Sequence, residues 1–196
     1  CERCKDTGQL PIKKVFQLNS GETQELILYD GPICECRKQA NFQKVLKNSG
    51  LDERIKRNNF SNFIADNKEL VLNKKLAMYW ADTLPSKNII LTGKSGAGKT
   101  HLAFAIAKVL VEKHGIIPKM TRYGDILEES KSLGFDEIKR ANFLNKYIEP
   151  ECLLLDDLFK ARVTQNDHAL IFNILDFRYN KGKMTIVTTE YDVTTL

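Results

Sequence analysis

The segment Gly93-Lys94-Ser95-Gly96-Ala97-Gly98-Lys99-Thr100 fits the pattern G-x-x-x-x-G-K-[ST]. A short apolar run, Asn88–Thr92, enters it and a helical pattern leaves it. Glycines at this spacing let successive backbone N–H groups turn inward around phosphates, at a helix N-terminus that already favours anions. Lys99 is then placed to reach the β- and γ-phosphates, and the Thr100 hydroxyl to bind Mg²⁺. His101 completes the segment expected to bind nucleotide. A match flanked by strand and helix is far more specific than the bare pattern, and it points to ATP or GTP.

Downstream, Cys152-Leu153-Leu154-Leu155-Asp156-Asp157 is an apolar strand ending in two carboxylates. An acidic residue at such a tip holds Mg²⁺ through water, and its neighbour orients the attacking water. The metal role is assigned to Asp156, and the water-polarising role to Asp157 beside Lys99. The bland alternative is a strand that ends in a helix-capping Asp. Cys152, alone in the apolar run, reads as a small core residue.

A second chemistry sits at the start of the chain. Cys1-x-x-Cys4 and Cys34-x-Cys36 bracket a stretch that reads as a β-hairpin, with strands Lys14–Leu18 and Glu25–Tyr29 and the turn Asn19-Ser20-Gly21-Glu22. Two cysteine pairs drawn together by a hairpin give four thiolates in tetrahedral array, a zinc ribbon. About 38 residues bury too little core to fold unaided, so a Zn²⁺ staple has a physical purpose. The alternative is free or redox-active thiols.

These groups must be positioned by three regions. Residues 1–38 form the zinc-ribbon-like module. Residues 39–86 form a basic helical bridge, and residues 87–196 alternate apolar strand with amphipathic helix, an α/β pattern with a parallel sheet flanked by helices. Strands are expected at Asn88–Thr92, Lys119–Tyr123, Cys152–Asp156 and Thr185–Thr189. Helices are expected at Lys99–His114, Gly124–Leu133, Asp136–Tyr147 and Gln165–Tyr179, the last with an apolar face of Ala169, Phe172, Ile174, Leu175 and Phe177.

A content of 42% hydrophobic and 28% charged residues is ordinary for a globular chain. No run approaches the roughly 18 apolar residues of a membrane span, and no signal peptide opens the chain. Together with the nucleotide motif this places the protein in the cytoplasm, where paired cysteines bind metal more often than they form disulfides. The start at Cys1 suggests a piece of a longer protein. A net charge of +5 is weak evidence for a polyanionic partner. Lys38, Lys44, Lys47, Arg54, Lys56, Arg57, Arg122, Lys131, Lys139 and Arg140 could track a nucleic-acid backbone, though a solvated helical face explains any one of them equally well.

With both modules placed, the chain resembles the DnaC/DnaI-type replicative-helicase loaders of bacteria and phages, AAA+ ATPases related to transposition helper ATPases. Cys1-x-x-Cys4 followed by Asp6-Thr7-Gly8, and Cys34-Glu35-Cys36-Arg37, look like the zinc module of DnaI-like members. Ser49-Gly50-Leu51, Phe60-Ser61-Asn62-Phe63, Asp156-Asp157-Leu158, Arg178-Tyr179-Asn180 and Thr185-Ile186-Val187-Thr188-Thr189 look like the ATPase segments. The resemblance implies an N-terminal region that grips a replicative hexameric helicase. It also implies ATPase domains that associate with one another and contact single-stranded DNA, with no membrane partner. At the family's sensor position, usually Asn, this chain has Glu190, so either the carboxylate turns away from the phosphates or Thr189 takes the polar role. The chain ends at Leu196, where such proteins continue with an arginine-finger helix and lid. A nucleotide-gated adaptor with little hydrolysis, kept open by Glu190, and a transposase helper ATPase are the competing readings.

Overall fold

A computed structural model of the chain describes residues 1–17, 23–49, 51–83, 88–134, 136–160 and 164–191. The chain divides into two compact units, Cys1–Asn48 and Ser49–Leu196. The expected bridge is thereby shared, its first helix falling in one unit and the next two in the other.

In the first unit, β1 (Ile12–Gln17) pairs antiparallel with β2 (Thr23–Leu28), and α1 (Glu35–Asn48) follows. Both strands begin two residues before the positions the alternation suggested, and the turn expected at Asn19–Glu22 lies outside the described residues. Hydrogen bonds from Leu10 N to Pro32 O at 2.8 Å and from Cys34 N to Gly8 O at 2.9 Å tie the two cysteine pairs together below the hairpin.

The second unit begins with α2 (Asp52–Arg57) and α3 (Lys68–Thr83). The alternation that follows is β3 (Ile89–Thr92), α4 (Lys99–His114), β4 (Lys119–Arg122), α5 (Tyr123–Ser132), α6 (Glu137–Ile148), β5 (Cys152–Leu158), α7 (Gln165–Asn180) and β6 (Met184–Thr189). The four strands form one parallel sheet in the order β3-β6-β5-β4. Parallel strands need crossover connections, which the helices supply, and burial at the centre of the sheet explains the apolar runs Leu153–Leu155 in β5 and Ile186–Val187 in β6. α4 is buried nearly all round by Leu102, Phe104, Ile106 and Leu110 with alanines between them. On α5, α6 and α7, Ile126, Phe143, Tyr147, Ile171 and Ile174 pack with Leu153 and Leu155 into one core.

Two expectations are corrected. Tyr123 does not end a strand but opens α5, with its ring 1% exposed. The apolar face expected on α7 is displaced. Ala169 faces solvent and Phe172 and Phe177 are 67% and 51% exposed, whereas Asp167, Ile171, Ile174 and Arg178 point inward. That stripe is set by a charge. Arg178 is fully buried and donates through Nε to Thr185 Oγ1 at 3.0 Å, through Nη1 to the carbonyls of Tyr147 at 2.9 Å, Ile148 at 3.1 Å and Pro150 at 2.9 Å, and through Nη2 to the carbonyl of Met184. Burial pulls its pKa down to about 10, and at neutral pH it remains a cation solvated by carbonyls at the end of α6 and the N-terminal ends of β5 and β6.

Arg178→Ala therefore leaves several carbonyls unmatched as well as a void, and is expected to destabilise the second unit by about 3 kcal/mol or more. Urea unfolding measures it. Arg178→Lys is expected to recover only part of the loss, because one ammonium cannot serve acceptors spread over a guanidinium fork.

Candidate functional site

The nucleotide motif forms the turn between β3 and α4. Gly98 is the N-cap of α4, with φ +84° and no side chain capping the helix, so the first-turn N–H groups are left to an anion. A Cβ at Gly98 would lie 2.7 Å from Phe63 Cε2, so glycine is required both by the left-handed backbone and by this ring. Phe63 is buried and meets His101 edge-on at 5.2 Å between ring centroids. His101 Nε2 lies 3.0 Å from both Asn59 O and Asn62 Oδ1. The segment leading into the sheet is thus docked against the loop, and the His101 side chain is engaged there rather than over the glycines. Lys99 is 8% exposed and its Nζ donates to Gly93 O at 2.7 Å and Lys94 O at 2.8 Å. The loop's own carbonyls hold the ammonium within the cradle.

Opposite the loop, β5 carries one extra residue. Leu155 pairs with Val187 but Leu158 pairs with Thr189, so Asp156 and Asp157 together face Thr188. This is a β-bulge, and Asp157 takes φ +57° to make it. The Thr188 hydroxyl repairs the ladder. It accepts from Asp157 N at 2.8 Å and donates to Asp156 Oδ1 at 2.7 Å. The same Oδ1 accepts from Thr100 Oγ1 at 2.9 Å. Asp156 is 4% exposed. A buried carboxylate beside a threonine hydroxyl at a phosphate loop is the hard-oxygen donor set that Mg²⁺ takes together with phosphate oxygens and waters, so these residues fit the ion. Asp157 is more open and points its Oδ2 at Lys160 Nζ, 2.9 Å away.

The sensor-position residues divide. Thr189 is fully buried, donating to Leu158 O at 2.9 Å and accepting from Tyr191 N at 3.2 Å, so its hydroxyl serves the backbone. Glu190 Oε1 lies 3.9 Å from Lys160 Nζ, pairing with a cation from β5's trailing loop. On β6 it is Thr188 that touches Asp156, a site role sequence reasoning did not assign it. Its signal was only a second threonine in a β-branched strand. Cys152 is fully buried and burial pushes its thiol up to about 12, the inert behaviour of a core residue.

In the first unit the four expected cysteines meet. Their Sγ atoms all lie within 4.8 Å of one another, with Cys1 to Cys34 at 3.9 Å and Cys4 to Cys36 at 3.5 Å. Sulfurs at the corners of a tetrahedron around Zn²⁺ at about 2.3 Å stand about 3.8 Å apart, so this donor set fits a structural zinc ion. Gly8, at φ +78°, makes the closure possible, since a Cβ there would come within 2.5 Å of Arg37 Cδ. The Cys4 thiol and the other thiols around Cys36 push the Cys36 pKa up to about 11.

Several of the basic residues have local partners. Arg54 lies over the Phe104 ring at 5.4 Å, Lys56 pairs with Glu53, Arg122 with Asp125 and Lys139 with Asp136, while Arg140 donates to Gly134 O. The Lys38 side chain lies outside the described residues. Among the described residues no helix is long and apolar enough to cross a membrane.

Residues 32–194 match the model of the IstB-like ATP binding protein family. The chain is 28% identical over 173 residues to protein YqaM of Bacillus subtilis (strain 168), covering 82% of this chain and 54% of that one. It is 26% identical over 161 residues to the replicative helicase loader DnaC of Buchnera aphidicola subsp. Acyrthosiphon pisum (strain APS), covering 79% and 64%. The crystal structure of the DnaC helicase loader superposes with a TM-score of 0.64 at 31% identity, over 71% of this chain and 80% of that one. The chain thus spans between about half and two thirds of the length of these two curated relatives.

Thr188→Val keeps the shape but removes an acceptor from Asp157 N–H and a donor from Asp156. A loss of about 1–3 kcal/mol in urea unfolding and a weaker Mg²⁺ dependence of nucleotide binding are expected, both largely restored by Thr188→Ser. Metal analysis of protein prepared without chelator is expected to give one zinc per chain, absent after Cys34→Ser with Cys36→Ser. Because bound metal must displace the raised Cys36 proton, zinc affinity is expected to fall as pH falls. A chromogenic chelator titration at stepped pH reads this directly.

Proposed function

The chain belongs to the IstB-like ATP-binding family, and from that premise we propose that it is an ATP-dependent loader of a replicative hexameric DNA helicase onto single-stranded DNA. The observation that carries the reading is the likeness of its ATPase unit to the DnaC helicase loader in both sequence and fold. The four-cysteine module ahead of that unit supports it.

The chemistry proposed is hydrolysis of the β–γ phosphoanhydride. The glycine-rich turn binds the phosphates through backbone N–H groups, and Lys99 exchanges its loop carbonyls for phosphate oxygens. Thr100 and Asp156 would hold Mg²⁺, which would supply charge neutralisation to the phosphates. Asp157 orients a water and takes its proton as the water oxygen bonds to the γ-phosphorus and the P–O bond to ADP breaks. Thr188 keeps both carboxylates at their posts. The first unit grips the helicase, and the ATPase units associate with one another on the strand.

A nucleotide-gated adaptor with little turnover is the second reading, favoured by the Lys160 ammonium lying against both Asp157 and Glu190. ATP turnover with and without single-stranded DNA separates the two. Lys99→Ala is expected to weaken ATP binding by more than about tenfold while leaving the fold intact, since it removes a cation placed to reach the terminal phosphates. Co-purification with hexameric replicative helicases is expected, and failure to retain any of them under conditions where the protein binds ATP refutes the loader assignment.

A further inference from the structure

Three carboxylates gather at the C-terminal tips of β5 and β6. Asp156 is buried and answered by two hydroxyls, but Asp157 and Glu190 are half open and carry negative charge toward a site that must accept a triphosphate. The register Thr92↔Thr189 sets Glu190 one step beyond the pair from which β3 runs into Gly93, so Glu190 stands at the mouth of the cradle. Lys99, the cradle's cation, is taken up with loop carbonyls and then with phosphate.

The backbone after Asp157 is bent to bring another cation back. Asp157 and Phe159 both take left-handed φ, +57° and +61°, and Lys160 N donates to Asp157 O at 3.2 Å. Non-glycine residues adopt this region only when their surroundings hold them there. Phe159 is held by Tyr123, His168 and Tyr191, with ring centroids 5.5, 4.8 and 6.2 Å away. The product of this strained return is one ammonium, Lys160 Nζ, at 2.9 Å from Asp157 Oδ2 and 3.9 Å from Glu190 Oε1.

We propose that Lys160 is a positioning residue for the nucleotide site, tethering Asp157 and Glu190 by one ammonium so that Glu190's charge does not oppose the triphosphate and Asp157 presents Oδ1 to the attacking water. The part concerning water rests on the reading of Asp157 given above. The part concerning charge does not, and it is the part tested through binding. The Glu190 carboxylate is compatible with ATP because the chain supplies its counter-charge from the neighbouring strand.

The test is a double-mutant cycle read by fluorescent ATP-analogue binding with Mg²⁺. Lys160→Ala is expected to weaken binding about three- to fivefold at low salt, with the loss shrinking as salt rises, because the pair is partly exposed and screened. Glu190→Gln is expected to tighten binding several-fold more in the Lys160→Ala background than in the unaltered protein, and Lys160→Arg is expected to keep near-normal affinity. A packing role for Lys160 gives neither salt dependence nor rescue by Glu190→Gln, and either absence overturns the proposal. Lys160→Gln stands in should the alanine variant not fold. Turnover of Asp157→Asn is measured beside the cycle. If the cycle holds while Asp157→Asn still hydrolyses ATP, the tether stands and the catalytic role of Asp157 falls.

Discussion

The nucleotide-facing end of the sheet depends on one extra residue in β5, opposite Thr188. A regular parallel ladder would send Asp156 and Asp157 to opposite faces of the sheet. The bulge instead lets Asp156 bury its carboxylate against Thr100 and Thr188 while Asp157 swings out at positive φ. Left-handed backbone at a non-glycine residue costs roughly 1–2 kcal/mol, and Thr188 offsets it by accepting the amide that the ladder loses. One hydroxyl therefore mends the strand and seats the buried Asp156 carboxylate at once.

The opposite end of the same strands is fixed by different means. Arg178 gathers carbonyls from the end of α6 and the start of β6, with the Thr185 hydroxyl, around a single buried guanidinium. A buried charge without a carboxylate partner survives only if nearly every N–H finds an acceptor. The strands between Arg178 and Thr188 are then almost pure hydrocarbon, with Leu153, Leu154, Leu155 and Ile186 fully buried. Polar pins at both ends hold a strand pair whose middle has no directional bonds from its side chains, which is how an apolar sheet keeps its register.

What the sequence made legible was local. The phosphate loop, the strand and helix that flank it, the two carboxylates and the paired cysteines are contiguous patterns whose spacing carries their meaning, and the thiols do converge as the hairpin implied. The bulge was invisible, because an apolar run ending in Asp-Asp reads the same with or without an extra residue. Thr188 and Thr189 could not be told apart by type, since only the register decides which hydroxyl meets Asp156 and which turns to Leu158 O. The face of α7 was misplaced for a related reason. Periodicity weighs Phe172 and Phe177 by hydrophobicity, while the helix is rotated by the demand of Arg178 for acceptors. Charge counting likewise missed that Arg54 lies on a ring and that Arg122 and Lys139 pair with neighbours one turn away.

Phe63 and Gly98 stand 35 positions apart in the sequence, and the missing Cβ of one is filled by the ring of the other. Neither can drift alone. A larger residue at 98 collides with the ring, and a smaller residue at 63 opens a void beside the first turn of α4 and strips His101 of its aromatic neighbour. In a lineage of such chains the two sites are expected to vary as a pair or not at all. That ties the lead-in segment to the phosphate loop it covers through a single ring.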